Sequence, residues 1–215
     1  MSQKVKPMSK SAKPQIEPVR MVAFDFDGTI TTKDTFALFL RYWAGTAKWA
    51  LNLIRLLPVF ILYGLRIIDR NSVKRHVVRR FFKNKSHAEL ESKAQKFARE
   101  IIPGLIRDGA LETLKNKNKP PYTLYIVSAS ITPYLREWAK SQEITHVIAT
   151  NLEVVNDRLT GEIDGENCWG PGKMAKISSE LAEIPYIIEE AYGDSRGDRE
   201  MLDAAHVSYW QPFRL

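Results

Sequence analysis

Four short apolar runs, separated by long stretches of helix-period sequence, constrain this chain more than any other feature. They are MVAFDF (21–26), TLYIVSAS (123–130), EIPYIIEEAYGD (183–194) and VSYW (207–210), and the first three stop at acidic or small hydroxyl residues. Runs of this length without polar alternation fit strands covered on both faces, as in a parallel sheet. Between them, GLIRDGALETLKN (104–116), ITPYLREWAKSQ (131–142), GKMAKISSELAE (172–183) and SRGDREMLDAA (195–205) carry apolar residues at helical spacing. Strand alternating with helix predicts an α/β fold with a Rossmann-like parallel sheet. HVIATNLEVVNDRLTGEID (146–164) instead alternates around Asn156-Asp157, which predicts a small β-hairpin. Residues 33–100 are helical in pattern throughout and separate the first two strands. The expected organisation is therefore a core of 21–32 and 101–215 with a helical cap inserted at 33–100, preceded by a disordered basic tail, 1–20.

Charge is distributed unevenly over these parts. The 215 residues carry a net charge of +7, yet residues 1–20 alone hold +4 and residues 41–85 hold +10, leaving an acidic remainder of −7. The tail has no apolar run after its lysines, so it does not read as a secretory signal. The single cysteine, Cys168, excludes a disulfide framework or a multi-cysteine metal site built by this chain alone. His76, His87, His146 and His206 show no metal-ligand spacing.

The residues that can carry chemistry sit at the predicted strand ends and helix starts. Asp25-Phe26-Asp27-Gly28-Thr29 follows the first strand, where ligands of open α/β sheets bind. Two acids at i and i+2 repel unless a cation or a shared proton intervenes, and Mg²⁺ is the hard cation that binds carboxylates together with phosphate oxygens. Taken alone, the pair also fits a solvated surface turn. Ser128-Ala129-Ser130 closes the second strand, where hydroxyls and free helix amides can hold a phosphate, although Ser128 alone fits a plain helix cap. Lys173 opens a helix after a Gly-Pro-Gly turn, where a cation opposes the helix dipole and so gains from a functional partner. Gly193-Asp194-Ser195-Arg196-Gly197-Asp198 follows the third strand, with Asp194 placed to complete a metal site and Asp198 to support it. A thiol mechanism has no support, because Cys168 has no neighbouring histidine.

In this order, the four motifs resemble the haloacid dehalogenase superfamily, over residues 21 to about 210. The resemblance implies an aspartyl-phosphate mechanism with Asp25 as nucleophile, Asp27 as general acid and base, and Thr29 orienting Asp27. It also implies Ser128, Ala129 and Lys173 on the phosphoryl oxygens, and Mg²⁺ on Asp25, the Asp27 carbonyl and Asp194. Gly28, Ser130, Gly193, Ser195 and Asp198 support these. A helical insertion between the first two motifs is similar to the phosphoserine phosphatase-like branch. The position of that branch's substrate-recognising glutamate corresponds here to Asp34. Within the branch the chain most resembles the phosphatidylglycerophosphatase C type, through T-x-x-D-T-F-x-x-F-L-x-Y after the first motif, an apolar cap segment, and Cys168 five residues before Lys173.

The cap bears on the substrate independently. Ala50–Ile68 is apolar, but its longest uncharged run, Leu56–Leu65, is ten residues. Because Asp25 must meet Ser128, Lys173 and Asp194, a single membrane crossing is excluded. Two readings remain: a helix pair in the cap core, or a hairpin bent at Pro58 that dips into one leaflet. Beside it, residues 71–85 form a basic amphipathic helix with Lys74, Arg75, Arg79, Arg80 and Lys83 opposite its apolar face, a second signal for an anionic membrane. The leading expectation is a Mg²⁺-dependent phosphatase of a phospholipid phosphate such as phosphatidylglycerophosphate, cytoplasmic and peripheral on the cytoplasmic face of the membrane. The alternatives are a phosphatase of a small soluble, phosphoserine-like ester, and a non-catalytic binder of anionic lipid or nucleic acid. Nucleic acid is not expected, since Phe81 and Phe82 lie on the apolar face rather than among the basic residues.

Overall fold

The computed structural model describes residues 17–182 and 184–214. Its centre is a six-stranded sheet of β1 (Val19–Phe24), β2 (Thr123–Ile131), β3 (His146–Val155), β4 (Arg158–Asp164), β5 (Tyr186–Gly193) and β6 (Val207–Trp210). Their order is β4-β3-β2-β1-β5-β6, parallel throughout except for the antiparallel β3–β4 hairpin. Asn156 and Asp157 form its turn, both at positive φ, the backbone that two-residue hairpin turns require. β1 is central, and Phe24 is in register with Ile126 on one side and Tyr192 on the other. The carboxyl ends of β1, β2 and β5 therefore lie side by side.

Alternation along β1 divides the core. Met21 and Ala23 join Val127, Ile177 and Met201 beneath α7 (Pro171–Leu181) and α8 (Arg199–Asp203). Val22 and Phe24 face α5 (Ala110–Lys117), α6 (Thr132–Ser141) and the cap. The cap comprises α1 (Thr35–Ala44), α2 (Thr46–Gly64), α3 (Arg70–Phe82) and α4 (His87–Glu100). Its side chains Phe39, Trp43, Val78, Phe82 and Phe97 share one buried cluster with Phe24 and Phe26, so the cap is packed into the core. Asp34, Asp69 and Ser86 cap α1, α3 and α4 by accepting the N–H of the residue three positions on. The chain segments entering and leaving the cap run together: Thr32 N–H donates to the Leu105 carbonyl at 2.7 Å and Arg107 N–H to that of Ile30 at 2.8 Å.

Three expectations change. Val19 and Arg20, assigned to the tail, pair with β5 as the start of β1, while residues 1–16 of the expected tail lie outside the described residues. The apolar cap segment does not reverse at Pro58: α2 continues through that proline as one helix, and the chain reverses beyond Gly64, where Arg66 takes a positive φ. Nor is α2 a core helix, since Leu56 is its one buried residue and Ile54, Leu57 and Ile61 are more than half exposed.

Candidate active site

Asp25 continues β1 by one residue, its N–H donating to the Tyr192 carbonyl at 2.8 Å, and its side chain is buried. Lys173, on the first turn of α7, is also buried, and its ammonium donates to Asp25 Oδ1 and to the Val127 carbonyl, each at 2.6 Å. A third contact at 2.6 Å goes to Asp198 Oδ1, so all three ammonium hydrogens are used. A cation at this helix start is thus held by two carboxylates rather than by solvent. Burial lifts the Asp25 carboxyl to about 8 while Lys173 pulls it down and Asp198 and Asp27 push it up. Burial opposes the charge on Lys173, but Asp25 and Asp198 outweigh it and hold the ammonium above its ordinary range.

Asp27 faces the opposite way, toward the cap. Its Oδ1 accepts the N–H of Thr35 at 2.6 Å and the Thr35 hydroxyl at 2.5 Å, and its Oδ2 accepts the hydroxyls of Ser130 and, at 3.4 Å, Ser128. Burial, followed by the field of Asp34, raises this carboxyl to about 6 against the pull of those hydrogen bonds. Thr29, expected to orient Asp27, instead donates to Asp25 Oδ2 at 3.1 Å, because the tight turn places it one helical step beyond that residue. Thr35 does the orienting. Ser128 is buried near the end of β2, which runs on to Ile131, and accepts the N–H of Ser130 at 3.1 Å, while Ala129 lines the cavity there.

Asp194 approaches from the end of β5, with its carboxylate packed against the Gly28 Cα. A Cβ at Gly28 would stand 2.8 Å from Asp194 Cγ, and its φ of +81° also favours glycine. Asp198 fixes the Asp194 loop by accepting the N–H groups of Asp194 and Ser195 at 3.1 and 2.9 Å and the Ser195 hydroxyl at 3.0 Å. Gly193 lets that carboxylate close in, since a Cβ there would stand 2.5 Å from Asp198 Cβ. Arg214, absent from the sequence reading, donates to Asp194 Oδ2 at 2.5 Å.

One carboxylate oxygen from each of Asp25, Asp194 and Asp198 lies within 4.8 Å of the others, a hard-oxygen set of the kind a divalent cation takes. All three are already engaged, Asp25 and Asp198 by Lys173 and Asp194 by Arg214, so a cation entering here would share or displace those contacts. Cys168 is buried, and burial pushes its thiol to about 12, which removes it as a nucleophile.

Four acids around Lys173 and Arg214 leave an excess of negative charge that a bound cation would offset, and they line a space at the carboxyl ends of a parallel sheet, where ligands of such folds bind. This places the chain among the Rossmann-like hydrolases of phosphate esters. It belongs to the haloacid dehalogenase-like hydrolase family, which matches residues 22–203. Protein CicA of Caulobacter vibrioides is 35% identical over 201 residues, covering 92% of this chain and 88% of that protein. The protein named "Probable phosphatase Rv3661" of Mycobacterium tuberculosis is 26% identical over 200 residues, covering 89% of this chain and 68% of its own. A structure titled as the phospho-aspartyl intermediate analogue of phosphoserine phosphatase superposes with a TM-score of 0.59 at 19% identity, covering 89% of this chain and 86% of that one, a likeness of fold. The chain is a phosphatase of this family.

Sequence reasoning missed several residues. Thr35 lay inside a quoted motif without a role. Lys74 was assigned to the exposed basic face of α3, but it lines the catalytic cavity and is half-buried. Arg79 is exposed on that face as expected, and it also pairs with Glu162 of β4, its Nε 2.9 Å from the carboxylate.

Proposed function

We propose that this phosphatase works through an aspartyl-phosphate on Asp25 and that its ester is carried by a lipid, phosphatidylglycerophosphate being the leading candidate. Asp25 attacks phosphorus, the ester P–O bond breaks, and Asp27 gives its proton to the departing alcohol. Water then attacks the phosphoryl group, Asp27 takes its proton, and inorganic phosphate leaves as the Asp25 carboxylate is restored. A carboxyl titrating near 6 can serve in both directions. Lys173 and the Ser128–Ala129 segment hold the phosphoryl oxygens, and Thr35 with Ser130 keeps Asp27 aimed. Mg²⁺ held by Asp25, the Asp27 carbonyl and Asp194 would offset the repulsion between the two anions.

The observation that carries the lipid reading is the cavity itself. It has a volume of about 780 Å³ and continues from Asp25 and Asp27 to Leu40, Leu53, Phe60, Val73 and Val77 of the cap. The helix that supplies Leu53 and Phe60 exposes Ile54, Leu57, Ile61 and Leu62 along the adjoining flank. α2 has the length and composition of a membrane span, with a mean hydropathy of 1.2 and Leu56 as its one buried residue. It does not cross, because α1 and α3 on either side of it line the same cavity and α3 packs on β4. In this proposal α2 lies in one leaflet of an anionic membrane, on its cytoplasmic face, beside exposed Arg75 and Arg80. Phosphate release from phosphatidylglycerophosphate in mixed micelles is compared with release from phosphoserine and glycerol 3-phosphate. A preference of at least about tenfold in kcat/KM for the lipid supports the reading, and equal or better turnover of the soluble esters replaces it with the small-ester alternative.

A further inference from the structure

Lys74 is a lysine that nothing described so far requires. It projects from the first turns of α3 into the catalytic cavity, while the neighbouring Arg75 and His76 turn to solvent. Its ammonium sits 2.9 Å from the centre of the Phe36 ring, and among the described residues no carboxylate lies within 4.0 Å of it. A cation drawn out of water without a carboxylate partner is costly, and an aromatic face compensates only in part. Desolvation pulls the ammonium to about 7, with Asp34 and Asp27 opposing that fall and Arg70 adding to it. Arg70, four residues earlier and therefore on the same side of the helix, lines the same cavity with its guanidinium 5.4 Å from the centre of the Trp169 ring. The scissile phosphate already has its own cation, Lys173, on the opposite wall.

We propose that Lys74 and Arg70 form a second anion subsite, which takes a negatively charged group of the substrate other than the phosphate that is removed. Val73 and Val77 on the same helix and Phe60 on α2 continue the wall beyond it, so the occupant is an anion flanked by apolar chain. A phosphodiester within a lipid headgroup has that chemistry. The inference rests on the phosphomonoesterase reading above and deepens it, because it states what the ester must carry besides its phosphate.

The test uses Lys74→Met, which keeps the apolar stem, and Lys74→Arg, which keeps the charge. Substrates are glycerophosphoglycerol phosphate, a deacylated headgroup with one monoester and one diester, and phenyl phosphate, which has no second anion. Losing one charge-assisted contact predicts that Lys74→Met loses about 10- to 100-fold in kcat/KM on the headgroup, through KM, with phenyl phosphate within about twofold. Lys74→Arg should recover most of the loss. Equal losses on both substrates, or none on the headgroup, overturn the subsite. A larger loss on phosphoserine than on the headgroup overturns its assignment to a diester, since the anion taken would then be a carboxylate. If wild-type protein hydrolyses neither substrate, the phosphomonoesterase reading of this site fails on its own. The subsite is then judged by calorimetric binding of the headgroup to wild type and Lys74→Met, where equal affinities reject it.

Discussion

Gly28→Ala separates two costs that the site geometry combines. The residue has φ +81°, and a side chain there would place Cβ 2.8 Å from Asp194 Cγ and 3.0 Å from Oδ1. Left-handed backbone costs an alanine about 1–2 kcal/mol. Ordinary carbon contacts lie at about 3.5–4.0 Å, so Asp194 must also retreat by about 0.7 Å or more. That retreat breaks its contacts with Arg214, at 2.5 Å, and Thr29, at 3.5 Å, and moves it away from Asp25. Gly45 provides the control, since it has φ +75° with nothing within 4 Å of a Cβ. Gly45→Ala should lose about 2–8 °C of Tm by calorimetry from the backbone cost alone, and Gly28→Ala should lose more, because Asp194 is displaced as well. Gly28→Ala alone should raise the Mg²⁺ concentration for half-maximal turnover by about tenfold or more. The same Mg²⁺ requirement in Gly28→Ala and Gly45→Ala would refute the claim that the absent Cβ keeps Asp194 in the site.

Raising the Asp27 carboxyl to about 6 means that it holds its proton at pH 5 and has released it by pH 7.5. At saturating Mg²⁺, which would offset the rise of the Asp25 carboxyl and keep the nucleophile ionised, the rate of phosphoenzyme formation read by rapid quench should therefore fall as pH rises through about 6, and Asp27→Asn should flatten that profile. Replacing Ile54, Leu57 and Ile61 by serine should weaken binding to anionic vesicles by about 100-fold or more, at about 1 kcal/mol for each half-exposed side chain, with Tm unchanged, as flotation and calorimetry would show. Reversing Arg75 and Arg80 to glutamate should release the protein from the same vesicles while hydrolysis of phenyl phosphate continues, and added salt should imitate the variant. At Gly197 a Cβ would stand 2.5 Å from Trp169 Cδ1, so Gly197→Ala should displace that cavity wall and change the Trp fluorescence.

The strands were legible because sheets covered on both faces select continuous apolar runs, and the catalytic acids because strand ends place them together. Asn156-Asp157 marked the hairpin for a similarly local reason, its tolerance of positive φ. What stayed hidden depends on rotation and long-range packing. The pattern of α3 separates polar from apolar residues, but it cannot tell a basic residue turned to solvent from one turned into a cavity, and so Lys74 was misplaced. Pro58 suggested a reversal, yet a helix with one face in contact and one exposed tolerates the missing N–H. Arg214 reaches Asp194 only because β6 lies beside β5, a pairing no local signal announces. Thr35 holds Asp27 where Thr29 was expected to, for the same reason, since which hydroxyl meets which carboxylate is set by how the turn closes.

The central claim is that Asp25 becomes covalently phosphorylated during turnover. Protein mixed with a phosphate ester and Mg²⁺, quenched in acid within milliseconds and digested for mass spectrometry, tests it directly. The account predicts one added phosphoryl group on Asp25, lost on treatment with hydroxylamine and absent from Asp25→Asn. Phosphate on another side chain, or turnover by Asp25→Asn at the wild-type rate, would contradict it.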